Sequence, residues 1–188
     1  MSKLSDHAKR LREMDSQSVR VGWFPENEYP DGAKVAAIMA QNEFGGAIQV
    51  PARQQVINRT IGADGEFKNG GRFVKGKNAN FQSIHEVPAH TVVIPARPLM
   101  RTAAEAAQPV LAEAIPKDAA AVLNGRITAS QAIARIGERV VKSISQILHT
   151  NNFQRNAPST IRQKGFDKPL VDSGHAGQSV TYKVGGGE

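Results

Sequence analysis

The fold class this sequence predicts is α+β: a small, mostly antiparallel β-sheet with helices packed on one face, plus a long β-hairpin arm. Three observations predict it. Short alternating runs near 18–24, 90–95 and 180–184 read as half-buried strands. Stretches 32–43, 98–115 and 129–148 carry apolar residues at helical spacing. Residues 47–92 are polar, glycine-rich and basic, with turn signals at Asp64-Gly65 and Asn69-Gly70-Gly71. The expected organisation is one domain over 1–188, with 47–92 as a projecting arm.

The elements follow in order. Residues 3–14 form a short helix with Leu4, Ala8 and Leu11 on one side. In SVRVGWF, Val19, Val21 and Trp23 share a strand face. The loop ENEYPDG leads to Asp31, placed to cap a helix whose Val35, Ile38, Met39 and Asn42 share a face and which Gly45-Gly46 ends. Trp23 and Phe44 are expected in the core. IQVPARQQVINRTIG (48–62) and RFVKGKNANFQSI (72–84) are the arm's two extended segments, which a neighbouring subunit is expected to hold in place. VPAR (50–53) and IPAR (94–97) each mark a strand leaving the sheet, where proline stops the ladder and Arg53 or Arg97 reaches outward.

Pro98 suits the first turn of the next helix. Leu99, Ala103, Ala106 or Ala107, Val110 and Leu111 face inward there, and Pro109 is expected to kink or restart it. Thr128 and Gln131 form a capping box ahead of Ile133, Ile136, Val140, Ile144, Ile147 and Leu148. In KPLVDSGHAGQSVTYKV (168–184), Asp172 or Ser173 caps a single helical turn before a closing strand with Val180, Tyr182 and Val184 on one side. The terminal GGGE is expected to fray.

Several chemistries fit poorly. In HEVPAH, His85 and His90 are five apart, about 500° round a helix, whereas a zinc-binding helix needs them four apart. Pro88 disfavours a helix there anyway, and an extended chain points 85 and 90 to opposite faces. No metal or cofactor is expected. Asp172, Ser173 and His175 invite a nucleophile–base reading, but their place at a helix start suits capping better. GGGE precedes no helix and makes no phosphate loop, so no enzymatic activity is expected. The chain has no cysteine, which excludes disulfides. No apolar run approaches membrane-spanning length, and MSKLSDHAKRLREMD lacks the apolar centre of a secretory signal. The net charge of +7 gathers in FKNGGRFVKGK (67–77) and RNAPSTIRQKGFDKP (155–169), which suits phosphate or an acidic partner. A sequence-independent DNA-binding protein is therefore an alternative, although only Phe67, Phe73 and Phe81 are available there to stack on bases.

VGWFP, YPDGAKVAAIMAQNEFGG, VPARQ, FVKGKNANF, VVIPARPLMRTA and KPLVDSGHAGQSVTYKV occur in this order over 19–184. In that order they resemble the head–tail joining, neck and tail-completion proteins of tailed bacteriophages. The chain departs from the pattern at His175-Ala176, where the resemblance leads one to expect a leucine or similar residue nearby to pack the last turn. The resemblance implies a non-enzymatic virion protein, made in the bacterial host cytoplasm and placed at the head–tail junction. It implies a homo-oligomeric ring, a hexamer matching the tail symmetry, between neighbouring connector and tail-tube proteins. Contact with DNA in the tunnel would be non-specific. A tail terminator capping the tube is the alternative within the same class. On this reading the residues that matter lie at subunit or partner interfaces: Arg53, Arg72, Phe73, Lys75, Arg97, Leu99 and Met100.

Overall fold

The computed structural model describes residues 3–150 and 153–186, in which helices combine with short antiparallel strands as an α+β fold. In chain order the elements are α1 (Lys3–Asp15), β1 (Gln17–Gly22), α2 (Val35–Phe44), β2 (Gly46–Val50), β3 (Arg53–Arg59), β4 (Phe81–Val87), β5 (His90–Ile94) and α3 (Leu99–Leu123). Then come α4 (Ala129–Thr150), α5 (Pro158–Lys164), α6 (His175–Ser179) and β6 (Thr181–Gly186). The chain divides into two compact units: Met1–Gly45 with Pro95–Glu188, and Gly46–Ile94.

In the first unit β1 pairs antiparallel with β6, from Gln17↔Gly186 to Gly22↔Thr181. Val19 and Val21 are partly sheltered while Ser18 and Arg20 are exposed, as strict alternation requires. Gly185 and Gly186 belong to this ladder rather than to a frayed tail; Gly187 and Glu188 lie outside the described residues. α4 packs against both strands and along α3. The core joins Val35 and Met39 of α2, Leu99 and Ala103 of α3, Ile144 and Leu148 of α4, Ala176 of α6, and Val180. Complete burial of side chains such as Leu99, Ile144 and Leu148 contributes roughly 1.5–3 kcal/mol each. Trp23 packs on this core and its indole N–H donates to the Ala176 carbonyl at 2.8 Å.

Local signals fix several boundaries. The Thr128 N–H donates to Gln131 Oε1 at 2.9 Å, and the Gln131 N–H donates to Thr128 Oγ1 at 3.1 Å: the reciprocal capping box. Asp31 accepts from the Ala33 N–H at 3.1 Å, making a turn, so α2 starts at Val35 rather than at 32. Gly45, at φ +67°, ends it.

Four expectations are corrected. Residues 90–95 do not join β1 and β6; β5 pairs with β2. Alternation identifies a strand but not its partner. α3 runs unbroken through Pro109 and Pro116, both exposed, so the carbonyls that lose their intrahelical donors can turn to water. Phe44 is 75% exposed. It lies five residues beyond Met39, about 140° round the helix from the buried stripe. On α1, Leu4 and Leu11 are likewise exposed.

The second unit is a set of antiparallel pairs. β2 pairs with β5 from Gly46↔Ile94 to Val50↔His90, and β3 with β4 from Arg53↔Val87 to Arg59↔Phe81. The two ladders keep one register, with two residues unpaired on each strand, 51–52 and 88–89, between them. Pro51 and Pro88 sit in that gap, where no ladder N–H is required.

Candidate interaction surfaces

The ladders of the second unit leave apolar side chains uncovered. The cross-strand pair Val56–Ile84 is 53% and 68% exposed, and Ile48 and Val92, also paired, are exposed. Val93, opposite Ala47, is 73% exposed. Two-stranded ladders have no second layer to hide a face. His85 and His90 lie on opposite faces of the register; His85 bonds Ser83 Oγ and His90 bonds the Pro88 carbonyl. Among the described residues no group of three or more histidine, aspartate or glutamate side chains is placed to hold a metal ion.

Residues 59–81 close β3 onto β4 as a tip ordered by its own bonds. The Asn80 amide both accepts from and donates to the Ile61 backbone, at 2.7 and 2.8 Å. The Val74 N–H donates to the Asn58 carbonyl, and the Lys68 N–H to the Thr60 carbonyl. Asn69, Gly70 and Gly71 all take positive φ, which two glycines and an asparagine tolerate. At the centre, the Arg59 guanidinium carbon lies 4.9 Å from the Phe67 ring centre and 5.4 Å from that of Phe73. Phe67 meets Phe81 edge-on at 5.6 Å. The extended segment expected over 72–84 is thus a strand only from Phe81; 72–80 is irregular chain with one helical turn at Gly76–Asn78.

Of the residues expected at interfaces, Arg53, Arg72, Phe73 and Lys75 are exposed on the second unit. Arg97 and Leu99 are not outward: they are 7% and 1% exposed. The Arg97 guanidinium donates to Asn42 Oδ1 and to the Gln154 and Arg155 carbonyls, at 3.1, 3.1 and 3.4 Å. Burial lowers its pKa, an effect the Asp167 charge opposes. Leu99 opens α3 inside the core, and Met100 packs partly buried beside it. The proline-arginine repeat therefore conceals opposite environments. After Pro51 the chain continues in a ladder open to solvent, whereas after Pro95 it enters the packed helices.

Sequence reasoning missed Glu43. Its carboxylate accepts from the backbone N–H groups of Met100 and Arg101, at 2.7 and 3.2 Å, and so caps α3 from another helix. A cap from a distant residue has no local spacing to betray it.

The DSGH segment is structural in its bonding. Ser173 Oγ accepts from the His175 N–H at 3.4 Å, while Gly174, at positive φ, is the N-cap residue of α6. The His175 ring turns away from Ser173: its Nε2 donates to the Glu28 carbonyl at 2.7 Å, and the ring lies 5.1 Å from Tyr29. Lys164 donates to the carbonyls of Lys168 and Val171, bracketing Leu170, whose φ is +62° and whose side chain packs on the core. A cleft of about 200 Å³ opens here, between Tyr29, Leu148, Leu170 and residues 172–178.

No protein family, no curated protein and no solved structure matches this chain. Among the described residues no helix is long and apolar enough to cross a membrane.

Proposed function

We propose that this chain is a structural protein of a tailed-phage head–tail junction, which completes the tail or neck and joins the tail to the capsid connector. It works as a homo-oligomeric ring, six-fold on the expectation from the resemblance, and needs no catalytic group. The observation that supports this best is the second unit. Among the described residues its four strands pair only as β2 with β5 and β3 with β4, and Ile48, Val56, Ile84 and Val93 stand in solvent where a neighbouring subunit would cover them. The geometry of the DSGH segment favours the same class. A nucleophile needs a base aimed at it, and the His175 Nε2 is engaged by Glu28 instead.

Negative-stain electron microscopy of lysates from a phage with a nonsense mutation in this gene tests the proposal. Filled heads beside separate full-length tails support it. Overlong or irregular tails assign the chain to tail termination instead. Joined, infectious particles overturn a junction role.

A further inference from the structure

We propose that the tip of the second unit is a contact site for the phosphate backbone of duplex DNA, made by the side chains of Lys68, Arg72, Lys75 and Lys77. Residues 59–81 carry Arg59, Lys68, Arg72, Lys75 and Lys77 against Asp64 and Glu66, a net charge of +3 over one short loop cluster. The five cations divide by geometry. Arg59 is internal, its guanidinium between Phe67 and Phe73 and its Nε buried without a hydrogen-bond partner. The other four are exposed, and among the described residues none has a hydrogen bond or ion pair from its side chain to another protein group. Elsewhere in the chain cations are spent on neighbours, as in Lys34–Glu28, Lys183–Glu26 and Arg155–Asp167. Asp64 makes no ion pair with any of them among the described residues; its carboxylate accepts the Glu66 N–H in a turn, and its charge is already counted in the +3.

The same geometry says which polyanion fits. Binding of single strands uses aromatic platforms on which successive bases stack. Here Phe67 packs between Arg59 and Phe81, and Phe73, 65% exposed with Arg59 beside it, is a single outward ring where successive stacking needs several. Around it, what faces outward is charge on long flexible stems. Gly65 and Gly70 lie with open space where a side chain would start, so backbone can approach a strand closely. A two-stranded antiparallel ribbon is also narrow enough for the major groove, about 12 Å wide. Contacts of this kind carry no base information, so the binding is independent of sequence. This inference does not depend on the junction role: it concerns the isolated chain and is read on purified protein.

The experiment is fluorescence anisotropy of the full chain with a labelled duplex of random sequence, repeated over a series of salt concentrations. The expected dissociation constant is roughly 10⁻⁴–10⁻⁶ M, the range of non-specific binding, and is unchanged by shuffling the sequence. The slope of the log of the association constant against log salt approaches about −3.6 if all four cations meet phosphates, at about −0.9 per contact. Lys75→Ala with Lys77→Ala should reduce its magnitude by about 2, and the fourfold alanine variant, with an unchanged circular-dichroism spectrum, should lose binding at least tenfold. Binding by the fourfold variant equal to wild type overturns the assignment and points to the basic segment 155–169. Tighter binding to a single strand than to the duplex also overturns it, as does binding to polyglutamate with none to DNA.

Discussion

At Asp118 a single carboxylate ties α3 to α4, accepting from Arg135 at 3.0 Å and Arg139 at 2.7 Å while only 6% exposed. Burial alone would raise its pKa, but the bonds and charges of Arg139 and Arg135 outweigh that and hold it below the ordinary carboxylate range. Asp118→Asn keeps the size and loses the charge, and should lower stability by about 1–3 kcal/mol in urea denaturation at neutral pH. The pH dependence has a definite sign. With a depressed folded pKa, the pair stabilises above the unfolded value of about 4, and the stabilisation drains away as pH falls through the folded value. The gap between wild type and variant should therefore be full near neutrality and close in acid; a gap that widens below about pH 4 contradicts the assignment. Gly137 is a second single-residue test. A Cβ there would lie 2.6 Å from Cγ of Tyr182, at the base of the ring where the side chain cannot swing clear. Gly137→Ala should lower the melting temperature although alanine favours helix by about 1 kcal/mol, and Tyr182→Ala in the same protein, which removes the ring but leaves its Cβ at 2.9 Å, should recover only part of the loss. Neither residue was legible beforehand. Asp118 lies among alanines with no helical partner in sequence, and Gly137 reads as a weak spot in α4 until β6 is seen beside it.

Elements were more legible than their partners. The α4 cap was written in Thr128 and Gln131, and the strand around Val19 and Val21 in plain alternation, although it ends at Gly22 and leaves Trp23 outside, because both depend on neighbours in sequence. Pairing depends on distant residues, which is why β5 was assigned to the wrong sheet. The α3 helix shows the same divide. Its start is held by Glu43, so Glu43→Ala should cost about 1 kcal/mol while Glu43→Gln, which keeps one acceptor, costs less; urea midpoints with unchanged slopes would measure both. Its middle survives Pro109 at a local cost, so Pro109→Ala should raise the melting temperature, the gain being at most about 3 kcal/mol. A lower melting temperature would mean that the ring makes a contact worth more than the missing hydrogen bond.

For the whole molecule, the division into two units makes stability and assembly separable. Every residue of the main core, from Val35 to Val180, belongs to the first unit. Replacing 64–79 by a short turn should therefore leave the circular-dichroism spectrum and melting temperature nearly unchanged, while sedimentation velocity reports weaker self-association. Loss of the fold would show that the tip contributes to the core after all. The interface residues expected from sequence split along the same line. Arg53, Arg72, Phe73 and Lys75 are free for partners, whereas Arg97 and Leu99 are engaged in holding the first unit together. The sequence could not distinguish the two arginines because both follow a strand and a proline. Only what lies beyond each proline differs.

The shared register of the two ladders limits how this chain can vary in length. From Gly46↔Ile94 to Arg59↔Phe81, partners advance one for one on both strands, and the unpaired gap holds the same number of residues on each. One residue inserted into or lost from a single strand would turn every side chain beyond it to the opposite face. Val56 and Ile84 would then no longer point the same way, and Arg59 would no longer meet its phenylalanines. Relatives of this chain should therefore gain or lose residues here in matched pairs, one on each strand, or else in the turns of the tip, where length is free to drift.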